Sequence, residues 1–138
     1  RNIRGKGYWP IKTMLKTLGE DFFEEFNKER VRRGIYIDAI WPENDVVKMD
    51  DFPFMGTGGK FIREIRIAPK DINFSMGYWI YENKVSFVSS SKDNFGFIIE
   101  SKEFADMISS QFDVVWILSM MIKISEEESD RLFKKMKI

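Results

Sequence analysis

The sequence predicts an α/β (α+β) fold: a mixed sheet with an antiparallel meander, covered by long helices. Three observations carry this. Apolar residues recur at three- and four-residue steps over 11–33 and again over 102–122. Between them, three short apolar runs follow one another closely over 77–100. The 138 residues suit one domain, and a single core of that size buries about two thirds of the unfolded chain's surface. Hydrophobic residues make up 43% and charged residues 32%, which fits a globular chain rather than a disordered one.

The first helix is expected over 11–33. Ile11, Met14, Leu15, Leu18, Phe22, Phe26 and Val31 form its stripe. Pro10 suits its first turn. Glu24–Lys28 and Glu29–Arg33 make favourable i,i+4 pairs. Arg30, Arg32 and Arg33 complement the dipole at its C-terminal end, and Gly34 stops it. Residues 35–41 alternate with period two and predict a strand ended by Pro42.

Residues 42–60 hold Pro42, Asn44, Asp50, Asp51, Pro53, Gly56, Gly58 and Gly59. They predict a long loop with room for a helical turn, of a length that tends to be functional or mobile. Phe52 and Phe54 serve either as a lid or as pins to the core, and pinning is the favoured reading. Residues 61–68 predict a second strand stopped by Pro69. Arg63 and Ile65 share one face of it; Ile62, Glu64 and Arg66 share the other. Such mixed faces fit an edge strand with structural ion pairs, or an arginine reaching into a polar pocket. A buried arginine needs a carboxylate or an anionic ligand.

The meander follows, with strands at 77–82, 84–90 and 95–100. Its turns are at Glu82-Asn83 and Lys92-Asp93-Asn94. Ser101 can cap a helix over 102–122, with Phe104, Met107, Ile108, Phe112, Val115, Trp116 and Met120 as its stripe. Ser125 and Glu128 make a capping box for a last helix over 126–137, whose apolar side is Leu132, Phe133 and Met136.

Several kinds of chemistry are scarce. Lys+Arg and Asp+Glu balance at 22 each, so the chain lacks the basic excess of a free-standing DNA-binding module. There is no Cys, hence no disulfide and no thiolate metal site. There is no His, which removes the commonest general base and zinc ligand. No spaced acid set suggests a metal site, and no cofactor is implied. Gly56-Thr57-Gly58-Gly59-Lys60 lacks phosphate-loop spacing and precedes a strand, so it reads as a flexible turn. Ser89, Ser90 and Ser91 have no base and no elbow motif, and read as solvated strand-end serines. The longest apolar run, Val114 to Ile122, is too short to span a bilayer. No signal peptide is visible, so a cytoplasmic location is expected.

Three stretches together carry a resemblance. They are Glu29-Arg30-Val31-Arg32-Arg33-Gly34-Ile35 ahead of Ile40-Trp41-Pro42, Ile65-Arg66-Ile67-Ala68-Pro69 ahead of the meander from Tyr78 to Phe87, and Gly96 to Ala105 ahead of Phe112-Asp113-Val114-Val115-Trp116. In order and spacing these resemble the effector domain of TrmB-like transcriptional regulators. The resemblance implies a phospholipase D-like half as the fold. It also implies that residues 1–138 are one effector domain, excised from a longer protein whose winged-helix domain, preceding residue 1, makes the DNA contact. Some archaeal members bind sugars through this domain. Enzymes of the phospholipase D type carry H-x-K-x-x-x-x-D on the first meander strand. Here the matching stretch is Phe74 to Glu82. The His position falls on Phe74 or Ser75, and the Lys position on Met76 or Gly77. Cleavage through a phosphohistidine is therefore excluded for this chain, and Glu82 reads as a turn residue.

The expected function is ligand sensing and dimerisation in such a regulator, without catalysis. The effector would be a small molecule, a sugar or a phosphorylated metabolite, and the assembly a homodimer with no membrane partner. A pocket is expected near the sheet edge, bordered by the long loop and lined by Trp41, Arg63, Arg66, Tyr81 and Glu100. For each aromatic residue the competing reading is core packing. The alternative function is a protein-interaction or dimerisation module with no small ligand, using Met120, Met121, Phe133 and Met136. A third reading, an enzyme of carboxylate or lysine chemistry centred on Glu100, lacks a spaced acid pair.

Overall fold

The central strand of the sheet is one that periodicity does not predict. A computed structural model describes residues 3–89 and 95–138. In it Ile3–Tyr8 forms β1, a strand that precedes the expected helix. β1 pairs in parallel with β2 (Ile35–Trp41) and antiparallel with β4 (Met76–Tyr81). Gly5 and Gly7 occupy one of its faces. A Cβ on Gly7 would lie 2.5 Å from Trp9 Nε1, and one on Gly5 would lie 3.1 Å from the Trp79 ring. Indoles from elsewhere supply the apolar bulk of that face, so β1 itself shows no apolar alternation.

The described sheet has seven strands in the order β6-β5-β4-β1-β2-β3-β7. β3 (Arg63–Ile67) runs parallel to β2, and β7 (Met120–Met121) closes against β3 antiparallel. β5 (Lys84–Ser89) and β6 (Gly96–Glu100) complete the antiparallel meander with β4, as the sequence predicts. The Lys92-Asp93-Asn94 turn lies outside the described residues, as do Ser90 and Ser91. Ser89 is buried at the end of β5 rather than solvated.

The helix expected over 11–33 is two helices, α1 (Ile11–Leu18) and α2 (Glu20–Arg32). Gly19 separates them at φ 90°, a conformation that a side chain would strain. The break resets the phase of the stripe. α2 buries Phe23, Asn27 and Arg30, whereas Phe22 is 52% exposed. The expected ion pairs Glu24–Lys28 and Glu29–Arg33 are present. α1 has no side-chain cap of its own at Pro10. Asp45 from the following loop accepts the Thr13 backbone N–H and hydroxyl instead, both at 3.0 Å.

α3 (Lys102–Leu118) is shorter than expected, because Met120 and Met121 leave it to pair with β3. Ser101 caps it through Phe104 N–H, and Ser125 caps α4 (Glu126–Lys135) through Glu128 N–H. Two apolar layers result. Ile11, Met14, Phe23, Trp41, Phe61, Ile65, Leu132 and Met136 belong to the layer under α1, α2 and α4. Tyr8, Ile40, Ile80, Val85 and Phe112 belong to the layer under α3. With a layer on each face, the last five residues of β2 are all buried instead of alternating.

The long loop carries three short 3-10 turns, at Glu43–Asp45, Pro53–Met55 and Gly59–Phe61. Phe54 is buried in the first core layer, with Phe52 packed against it, so these rings pin the loop. Gly7→Ala pushes a methyl into the Trp9 indole at the sheet centre. It should lower unfolding free energy by about 1–3 kcal/mol in urea denaturation.

Candidate functional site

Between α2 and the glycine-bearing face of the sheet the fold leaves a cavity of about 200 Å³. β2 contributes Ile37, Ala39 and Trp41 to its floor; β4 contributes Trp79, and β5 contributes Ser86. α2 roofs it with Phe22, Phe23 and Phe26. Phe26 meets Trp79 edge-on at 5.3 Å and stacks with Phe22 at 6.3 Å. Asn27, Arg30 and Arg63 line the same cavity.

These three polar side chains form one hydrogen-bonded group. Asn27 Oδ1 accepts from Arg63 Nη1 at 2.7 Å and from Arg30 Nε at 3.3 Å. Arg63 Nη2 donates to the carbonyls of Phe54 and Gly56, both at 2.7 Å, and its Nε donates to Gly56 at 3.0 Å. Arg30 Nη1 donates to the carbonyls of Ile35 and Ile62, and its Nη2 to that of Phe61. Ile62, a β-branched residue, sits in the left-handed region at φ 44°. That conformation is costly for it and persists only where its surroundings enforce it. The Arg30 bond to its carbonyl is one such constraint.

Neither guanidinium forms an ion pair with a carboxylate among the described residues. Burial lowers the proton affinity of both. Arg30 falls to about 10, and Arg63, also facing the Arg30 charge, falls well below the usual arginine value.

Of the residues expected to share one site, the structure brings together Trp41 and Arg63. Arg63 reaches into a polar pocket, one of the two arrangements expected for its strand, but its partners are carbonyls and an amide rather than a carboxylate. Arg66 lies on the opposite face. It stacks over Trp116 at 4.2 Å, pairs with Glu64 at 2.8 Å and donates to the Trp116 carbonyl. Tyr81 reaches the cavity only through Trp79, on which it stacks at 6.2 Å. Glu100 is exposed at the end of β6, opposite Lys84, and does not line the cavity. This cavity sits under α2, whereas a shallower pocket at the β3–β7 edge, bordered by Thr57 and Gly58 of the long loop, also includes Arg63.

Asn27 and Arg30 carry no sequence signal for this role. Arg30 reads as a solvated dipole partner, yet it is buried. Only the phase shift at Gly19 turns it inward.

Two other motifs resolve simply. The turn at Gly56–Lys60 is tied down rather than loose. Gly58 N–H and Thr57 Oγ1 both donate to the Arg63 carbonyl, and Ser129 Oγ of α4 donates to Thr57. In the stretch matching the phospholipase motif, Phe74 N–H donates to Tyr8 Oη. Gly77 lies beneath Trp9, with no space for a side chain. Glu82 takes the turn at φ 55°.

Arg63→Met would leave the carbonyls of Phe54 and Gly56 without their buried donor. The expected loss is about 3 kcal/mol by chemical denaturation. Arg63→Lys should recover little of it, because an ammonium lacks the guanidinium fork.

No known protein family profile matches the chain, and no curated protein is similar to it in sequence. Solved structures are similar in fold. TrmBL2, an archaeal chromatin protein described as showing a novel mode of DNA binding, superposes with a TM-score of 0.56 at 14% identity. That likeness covers 88% of this chain and 45% of the chromatin protein, so the chain spans less than half of its length. Nuc from Salmonella typhimurium, a phospholipase D family member, superposes with a TM-score of 0.57 at 14% identity, over 89% of this chain and 82% of that one. The described residues form a mixed seven-stranded sheet between helical layers, a phospholipase D-like fold.

Proposed function

We propose that this chain is the ligand-sensing regulatory domain of a TrmB-like transcriptional regulator, and not an enzyme. The observation that carries the reading is the cavity under α2. A cavity walled by aromatic rings and holding a few fixed polar groups is what a small-molecule effector site requires. The fold likeness to a chromatin protein supports a regulatory setting. The absence of histidine from the sequence removes the phosphohistidine route that the fold otherwise suggests. With zero formal net charge, DNA contact would belong to a part of the protein outside this chain. A cytoplasmic location goes with this reading. Among the described residues, no helix is long and apolar enough to cross a membrane.

A specific observation favours a second reading, an interaction or homodimerisation module without a small ligand. The end of α3 exposes Val114, Ile117 (75%) and Leu118, and β7 adds Met120 and Met121. Such clusters mark partner surfaces. Phe133 and Met136, expected in that interface, instead pack into the first core layer.

A thermal-shift screen over sugars, nucleotides, phosphorylated metabolites and small organic acids separates the readings. Effector binding to the cavity should raise Tm by roughly 5 °C or more at saturation. The rise should vanish in Trp41→Leu. A flat screen counts against ligand sensing. Under the second reading, light scattering should show a dimer at high concentration that dissociates in Ile117→Asp; a monomer throughout would sink it.

A further inference from the structure

The polar end of the α2 cavity has a surplus of positive charge. Arg30 and Arg63 both line it, and both bond the one Asn27 oxygen. An amide thus stands where a carboxylate would have balanced them. Each guanidinium has five N–H donors. Four are accounted for in Arg63, through Gly56 (two), Asn27 and Phe54. Four are likewise accounted for in Arg30, through Asn27, Ile35, Ile62 and Phe61. All of these acceptors are neutral. Buried charges are ordinarily paired, and arginine takes carboxylates more strongly than carbonyls.

The rest of the wall is of a different kind. Phe22, Phe26, Trp41 and Trp79 face the cavity, and among the described residues Ser86 is the only lining side chain of hydroxyl or amide type besides Asn27. A neutral sugar placed here would bury most of its hydroxyls unpaired, which is expensive. At about 200 Å³ the space is somewhat larger than a cavity of about 150 Å³ that takes benzene.

We propose that the cavity binds a small amphipathic monoanion, an aromatic or branched aliphatic carboxylate. Its acid group lies at Arg30 and Arg63, and its apolar body lies against Trp41, Trp79 and Phe26. This deepens the reading of the cavity as an effector site and rests on it. The ligand supplies the counter-charge that the protein omits, so occupancy and local electrostatics are coupled. A ligand of this kind also bridges α2 to β3, the two elements that the arginines come from.

The chain carries its own reporter, since three of its four tryptophans, Trp9, Trp41 and Trp79, line the cavity. Tryptophan fluorescence is titrated with phenylacetate and with its neutral isostere phenylacetamide. Phenylacetate should bind more tightly by about tenfold or more, the discrimination expected of a charge-assisted hydrogen bond. Asn27→Asp places a carboxylate between the guanidiniums, so the preference for the acid should disappear there. Equal affinity of acid and amide for the unaltered protein overturns the inference, as does no response to either. So does a tenfold preference that survives in Asn27→Asp. In each case the regulatory reading still stands if a sugar or nucleotide raises Tm, and falls only if that screen is flat as well.

Discussion

Parallel strands β2 and β3 are joined by a segment that contains no α-helix, and the structure is organised around the carbonyl groups this leaves. A helix in such a crossover satisfies its own backbone. A run of 3-10 turns does not, and the carbonyls of Phe54, Gly56, Phe61 and Ile62 point inward. Backbone acceptors buried away from water need donors. Arg63 from β3 and Arg30 from α2 meet that need. A planar fork of five donors can serve several carbonyls at once, which explains why arginine stands at both positions. The second helix, the crossover and the third strand are thereby held in one arrangement. Even the left-handed turn at Ile62 is fixed by it.

That solution leaves an electrostatic asymmetry. Carbonyl dipoles stabilise a guanidinium but do not cancel its charge. Two such groups share a single amide oxygen on the glycine-bearing face, while the opposite face is electrically ordinary: Arg4 pairs with Asp38, Lys6 with Asp113 and Arg66 with Glu64. The fold thus separates a structural face, with balanced ion pairs under and around α3, from a face with an aromatic cavity and unbalanced charge under α2.

The sequence made some of this legible and hid the rest for definite physical reasons. The meander was readable because its turns are short and its strands are rich in aromatic and β-branched residues. The caps at Ser101 and Ser125 were readable because capping is a local hydrogen bond. β1 was not, since glycine replaces its apolar residues so that Trp9 and Trp79 can lie across it. The break at Gly19 was hidden because favourable spacing continues on both sides, and the misplaced phase then concealed Asn27 and Arg30. For the site, Trp41 and Arg63 could be singled out as an aromatic and a charge on otherwise apolar strands. Arg66 and Glu100 looked equivalent to them, because a strand pattern gives the face but not which layer covers it. The polar crossover acceptors leave no mark in any side-chain pattern.

The position of β1 also bears on how the chain reaches this structure. β1 lies at the middle of the described sheet, and one of its two neighbours, β4, begins only at Met76. Pairing between elements so distant in sequence closes a long loop before it is rewarded, and slows folding. Until β4 arrives, β1 presents an open edge, and Gly5 lacks the Trp79 indole that covers it in the finished sheet. The non-local pairing of β1 with β4, which joins the parallel half of the sheet to the meander, is therefore the step expected to slow folding.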